Sequence, residues 1–198
     1  MLIYEHIFIY LFVYYFCLIL FFMQNILFIS GSLRADSFNT KLLRAFEKAL
    51  PEGVKSAWGD ISSLPLFNEE LEANFPQSAI LLKEQIVSAD AVIISTPEYN
   101  RGMSGALKNA IDWISRPYGN NSWKEKRVLV TSVSPGALGG ALALYQVKQS
   151  LLHLGAEVLG NPEFIVGSAQ EKFSEEGILT DQKTQTFIGV ALDILLKR

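Results

Sequence analysis

Three short runs govern what this chain can fold into: ILFIS at 26–30, AVIIS at 91–95 and VLVTS at 128–132. Successive side chains of a strand point to opposite faces, so a strand with one wet face alternates apolar and polar residues. These runs are apolar at consecutive positions and partly β-branched, so both of their faces need cover, as in a parallel sheet packed between helices. Strands are therefore expected at Ile26 to Ser30, Ala91 to Thr96 and Arg127 to Ser132, with two more at Val54 to Gly59 and at Glu157 to Leu159 or slightly beyond.

Between them lie amphipathic stretches expected as helices: Asn39 to Leu50, Pro76 to Ala89, Ser104 to Ser115, Gly139 to Leu154 and Thr180 to Lys197. The first sets Leu42, Leu43, Phe46 and Leu50 on one face, and the third does the same with Leu107, Ala110, Ile111 and Ile114. Strand and helix in alternation define the fold class as α/β, a doubly wound five-stranded parallel sheet with helices on both faces. Such sheets bind ligands beyond the carboxyl ends of their strands, near the point where the strand order reverses. The polar segment from Gly167 to Gly177 reads as a surface loop.

At 198 residues and 49% hydrophobic, the chain has material for one ordinary core. A formal charge of −3 gives no positive field for nucleic acid, and no nucleic-acid partner is expected; an anionic ligand must be caught locally. Cys17 is the only cysteine and His6 and His153 the only histidines, which excludes disulfide frameworks, zinc sites and Cys/His nucleophilic catalysis. His153, between leucines, reads as structural. No metal ligands and no catalytic side chain stand out, so the chain is either a binder or an enzyme whose cofactor carries the reaction.

The sixteen residues from Ile7 to Phe22 are apolar or aromatic and uncharged. A membrane span needs about 20 such residues. A signal peptide needs a basic start and a small-residue cleavage site, whereas this segment has Glu5 and His6 before it and ends Leu20-Phe21-Phe22. Met23 stands directly before the first strand. Residues 1–22 are therefore read as an upstream extension and 23–198 as the folded domain, in a cytoplasmic protein; a membrane anchor is the alternative, and a membrane is a partner only if the leader is retained.

The loop after the first strand, GSLRADSFN at 31–39, runs into a helix start. Ser32, Ser37, Asn39 and Thr40 can donate hydrogen bonds, Arg34 adds a charged fork, and the helix N-terminus adds free amides and positive dipole. A plainer reading has Ser37 or Asn39 only capping the helix. That accounts for one of them, not for Arg34 and four hydroxyl or amide groups together. The P-loop GxxxxGK[ST], the GxGxxG fingerprint and the GxSxG elbow are all absent. The third strand is followed by TPEYNRGMSG at 96–105, where Pro97, Gly102 and Gly105 are expected to let the backbone face a ring system and Ser104 to cap the next helix. A third loop, SPGALGG at 134–140, allows a flat ligand close approach.

GSLRxxSxN at 31–39, PEYN at 97–100 and GALKNAIDW at 105–113 together resemble the NADPH-dependent FMN reductase family, which includes chromate, quinone and azo-dye reductases. The resemblance runs from about Met23 to the end. It implies a flavodoxin-like fold with FMN at the sheet edge, NADPH or NADH as hydride donor and a small-molecule electron acceptor, in a homodimer or homotetramer. It also implies that Ser32, Arg34, Ser37, Asn39 and Thr40 surround the FMN phosphate, that Pro97, Glu98, Tyr99, Asn100 and Arg101 flank the ring and ribityl chain, and that Gly136 meets the ring from the other side. Ser104 stands where the family often has proline. The stretch from Trp113 to Trp123 reads as a contact surface or lid. A flavodoxin-type electron carrier without its own NAD(P)H site is the alternative; its greater acidity and arginine-free phosphate loop fit this chain less well.

Overall fold

The computed structural model describes residues 24–197, so the 1–22 leader lies outside the described residues. The elements run β1 (Asn25–Ser30), α1 (Phe38–Lys48), β2 (Lys55–Gly59), α2 (Gln77–Ser88) and β3 (Ala91–Thr96). A small hairpin follows, β4 (Glu98–Tyr99) and β5 (Gly102–Met103), and then α3 (Gly105–Ile114) and β6 (Arg127–Val133). The chain closes with α4 (Ala141–His153), β7 (Glu157–Val158), β8 (Phe164–Val166) and α5 (Gln182–Leu196).

The main sheet is parallel in the order β2-β1-β3-β6-β7, with β8 also pairing β6. That is the flavodoxin-like doubly wound order, and β1 and β3 are the neighbours at which it reverses. Side chains along the central strands go alternately to two cores. Leu27, Ile29, Val92, Ile94, Val128 and Val130 pack beneath α2, α3 and α4, with Leu82, Ile86, Leu107, Ile111, Leu144 and Val147. Ile26, Phe28, Ile93 and Leu129 pack beneath α1 and α5, with Leu42, Phe46, Ile188 and Leu192. Two-sided burial is thus the physical reason the central runs carry no polar alternation.

The fifth strand position differs from expectation. β7 pairs Arg127 and Val128, and β8 pairs Thr131 to Val133, with residues 159–163 looping out between. The Gly160-Asn161-Pro162 turn signal ends the first piece, and Phe164 and Val166, both buried, restart it. The 167–177 segment is also more than a surface loop: Ala169 and Phe173 are buried, Phe173 bridges Leu179, and its ring lies 5.5 Å from that of Phe38.

The stretch from Trp113 to Trp123 is mostly packed down. Both tryptophans are buried, and Trp113 Nε1 donates to the Pro65 carbonyl at 2.7 Å. Lys83 Nζ donates to the carbonyls of Ile114, Arg116 and Asn120 at 3.0, 2.5 and 2.7 Å, fixing the loop's path, and the tip from Pro117 to Asn120, with the Tyr118 ring, is exposed. Because α3 carries the chain away from the carboxyl ends of the strands, this loop sits at the opposite edge of the sheet and cannot cover the three βα loops of its own subunit. Among the described residues no helix is long and apolar enough to cross a membrane.

Candidate functional site

The three loops read as ligand-bearing leave β1, β3 and β6, and parallel pairing of these strands brings the loops to one edge. Ser37 is the N-cap of α1, and its side chain accepts from the Asn39 amide at 3.2 Å. Ser32 Oγ accepts from the Arg34 amide at 3.3 Å. A hydroxyl has one donor as well as its lone pairs. Both serines here act as acceptors, which leaves both O–H groups to point at something else. Arg34 is exposed, with one contact to the Asp36 carbonyl at 3.2 Å. Asp36 pairs with Lys41; that hydrogen bond and Lys41's charge, joined by Arg34, hold its carboxyl below the ordinary range.

Asn39 and Thr40, also read as phosphate residues, make their hydrogen bonds beneath the loop. Asn39 is buried, its Oδ1 accepting from Ser95 Oγ at 2.8 Å and from the Val133 amide at 3.4 Å, and its Nδ2 donating to the Val133 carbonyl at 3.3 Å. One amide therefore ties α1 to the ends of β3 and β6. Thr40 Oγ1 shares a 2.9 Å bond with Ser30 Oγ beneath the loop. Together they hold the loop's floor.

In the second loop Pro97 is buried and the hairpin follows it. The unusual backbone lies at Asn100 (φ 51°) and Arg101 (φ 67°), not at Gly102 or Gly105 as expected. Positive φ at both central residues is the requirement of a two-residue hairpin turn that follows the strand twist. Non-glycine residues adopt it at a cost of order 1–2 kcal/mol each. Offsetting contacts come from Gln146, a residue that no local pattern singles out: its Oε1 accepts from the Met103 amide at 3.0 Å and its Nε2 donates to the Arg101 carbonyl at 3.4 Å. Tyr99, Asn100 and Arg101 are exposed.

Glu98, read as a flank of the ring, caps a helix. Its Oε2 accepts from the Leu142 and Ala143 amides at 3.0 and 3.2 Å, and Oε1 pairs with Arg101 at 3.3 Å. The N-cap of α4 is Gly140, which has no side chain to offer the first-turn amides. The cap therefore comes across from the neighbouring loop. Gly140 itself, at φ 85°, leaves room for this: a Cβ there would lie 3.6 Å from Glu98 Cβ and 3.2 Å from Ser132 Cβ. A helix whose N-cap position reads Gly-Gly, with no Ser, Thr, Asp or Asn, is the signal that could have suggested a borrowed cap. In the third loop Pro135, Gly136, Ala137 and Leu138 are exposed.

The model of the NADPH-dependent FMN reductase family matches residues 24–171 of this sequence. The chain belongs to this family. A quinone reductase of Pseudomonas putida is 43% identical over 164 residues, 82% of this chain and 88% of its own. An NAD(P)H-dependent FMN reductase of Pseudomonas aeruginosa is 40% identical over 172 residues, 86% of this chain and 92% of its own. Among solved structures, the flavoenzyme NAD(P)H:(acceptor) oxidoreductase of Paracoccus denitrificans matches with a TM-score of 0.82 and 40% identity, over 88% of this chain and 96% of that one. This FMN reductase is accordingly an NAD(P)H-dependent oxidoreductase with FMN as cofactor, and the electron-carrier alternative is not favoured.

Proposed function

We propose that this FMN reductase holds its flavin at the edge formed by residues 31–37, 97–101 and 134–138 and reduces quinone-type small molecules with electrons from NAD(P)H. The observation that carries the reading is the donor set of the first loop. Two hydroxyl groups, on Ser32 and Ser37, accept from loop amides and donate to no acceptor among the described residues, beside an exposed Arg34 at the N-terminus of α1. Such a set offers donors and positive potential, and the loop's one carboxylate, Asp36, is paired with Lys41, which suits a phosphate group.

Bound there, FMN supplies the two-electron chemistry between the nicotinamide donor and the acceptor. The chain's own work is placement. Ser32, Arg34 and Ser37 hold the phosphate, while Asn39 and Thr40 keep that loop in shape from beneath. Pro97 to Arg101 form one wall, fastened to α4 by Glu98 and Gln146, and Gly136 with its neighbours forms the other. Residues 31–37, 97–104 and 134–140 contain no histidine, cysteine or lysine, and their two carboxylates are engaged, Asp36 with Lys41 and Glu98 with Arg101 and the α4 amides. A quinone acceptor is supported by the similarity to a quinone reductase. A homodimer or homotetramer is supported by exposed Leu138, Leu142 and Tyr145 along the start of α4; a cytoplasmic location belongs to the same proposal.

Titrating apoprotein with FMN and with riboflavin tests the phosphate anchor. FMN should bind far more tightly, and inorganic phosphate should compete with FMN but not with riboflavin. Equal affinities would remove Ser32, Arg34 and Ser37 from the proposed role.

A further inference from the structure

The anion loop begins at Gly31, and both of that residue's backbone groups are held by the neighbouring strand-loop unit. Its amide donates to the Ser95 carbonyl at 2.8 Å, and its carbonyl accepts from Ser104 Oγ at 2.5 Å. The approach is close: a Cβ on Gly31 would lie 3.0 Å from Pro97 Cδ and 3.1 Å from Leu107 Cδ2. The same Ser104 hydroxyl accepts from the Leu107 amide at 3.2 Å and so caps α3. It is buried, and it reaches Gly31 across 73 residues of sequence. Helix capping explains the lone pair of this oxygen and leaves its hydrogen unexplained.

A peptide unit is planar, with its C=O and N–H pointing in opposite directions. Fixing the Gly31 carbonyl therefore fixes the Ser32 amide, which donates to Ser30 Oγ at 3.3 Å, and with it the start of the Ser32 side chain. We propose that Ser104 is a positioning residue for the phosphate: its hydroxyl sets the Gly31–Ser32 peptide so that the Ser32 hydroxyl faces the anion. This rests on the phosphate reading given above. Ser104 touches neither phosphate nor ring, and acts through Gly31.

The test uses Ser104→Ala and Ser104→Pro. Serine 104 already has φ −64°, the value proline imposes, so the second variant removes the hydroxyl without bending the backbone. Circular dichroism confirms that each variant is folded, and flavin fluorescence then gives the FMN and riboflavin affinities of each apoprotein. Both variants should bind FMN about fivefold more weakly, the loss of one net hydrogen bond, with riboflavin affinity unchanged. A fall shared equally by FMN and riboflavin would make Ser104 merely structural and overturn the proposal, as would unchanged FMN affinity. Wild-type protein with no preference for FMN over riboflavin would overturn the phosphate reading first; a preference that survives intact in both variants overturns only the role of Ser104.

Discussion

Replacing Asn39 with alanine separates holding the loop from binding the ligand. The side chain makes one short bond, to the Ser95 hydroxyl at 2.8 Å, and two longer ones to the backbone of Val133 at 3.3 and 3.4 Å, all buried. Removing it strips partners from the Ser95 hydroxyl and from both polar groups of Val133. With the short bond at the upper end of the scale and the long ones at the lower end, the loss is roughly 2–4 kcal/mol. For a domain of this size each kcal/mol moves the Tm by about 2–4 °C, so the apoprotein should melt roughly 5–15 °C lower. Thermal unfolding of ligand-free protein, followed by circular dichroism, reads this without FMN. A shift under about 2 °C, less than 1 kcal/mol, together with weaker FMN binding would refute the clamp and return Asn39 to the phosphate.

Arg34→Ala should do the opposite, weakening FMN by about 1–3 kcal/mol, the scale of charge-assisted hydrogen bonds, while leaving apoprotein stability unchanged; a titration with unaltered FMN affinity counts against the assigned role. Glu98→Ala should cost about 1 kcal/mol, the worth of a helix cap, and should speed hydrogen exchange at the Leu142 and Ala143 amides, while Glu98→Gln keeps an acceptor oxygen and most of the protection; identical exchange in all three proteins would refute the borrowed cap. Asp181 caps α5, and the hydrogen bond from the Thr184 hydroxyl lowers its pKa. Its contribution is present above the ordinary carboxylate pKa and fades as the pH falls through the lowered value, so Asp181→Asn, which still caps, should be less acid-sensitive than wild type in urea melts run from pH 6 to pH 2; parallel pH profiles would contradict that. Residues 24–197 contain both cores. Deleting 1–22 should therefore leave FMN binding intact, and loss of folded protein would show that the leader belongs to the domain.

The central strands were legible because burial on both faces writes itself into consecutive residues, and Ala91–Thr96 matches to the residue. β8 was hidden behind Gly160-Asn161-Pro162, since a strand of three residues, Phe164–Val166, has too little pattern to outweigh a turn signal. That three candidate loops share one edge was legible too, since it follows from parallel topology. What each polar residue does there was not. Asn39 as cap, ligand or clamp is the same residue in the same place, and the deciding partner, Val133, is 94 residues away. Glu98 likewise caps a helix 44 residues on, and Gln146 meets the hairpin over a similar span. Such roles reside in tertiary contacts, which local periodicity does not record.

Whether a flavin at this edge passes electrons from NAD(P)H to a quinone is read from an anaerobic absorption titration of purified, FMN-loaded protein. The flavin band should bleach on adding one equivalent of NADPH or NADH and return on adding one equivalent of benzoquinone. A flavin band that NADPH and NADH both leave unchanged, or a bleached band that benzoquinone does not restore, would rule out electron transfer from NAD(P)H to quinone through this flavin.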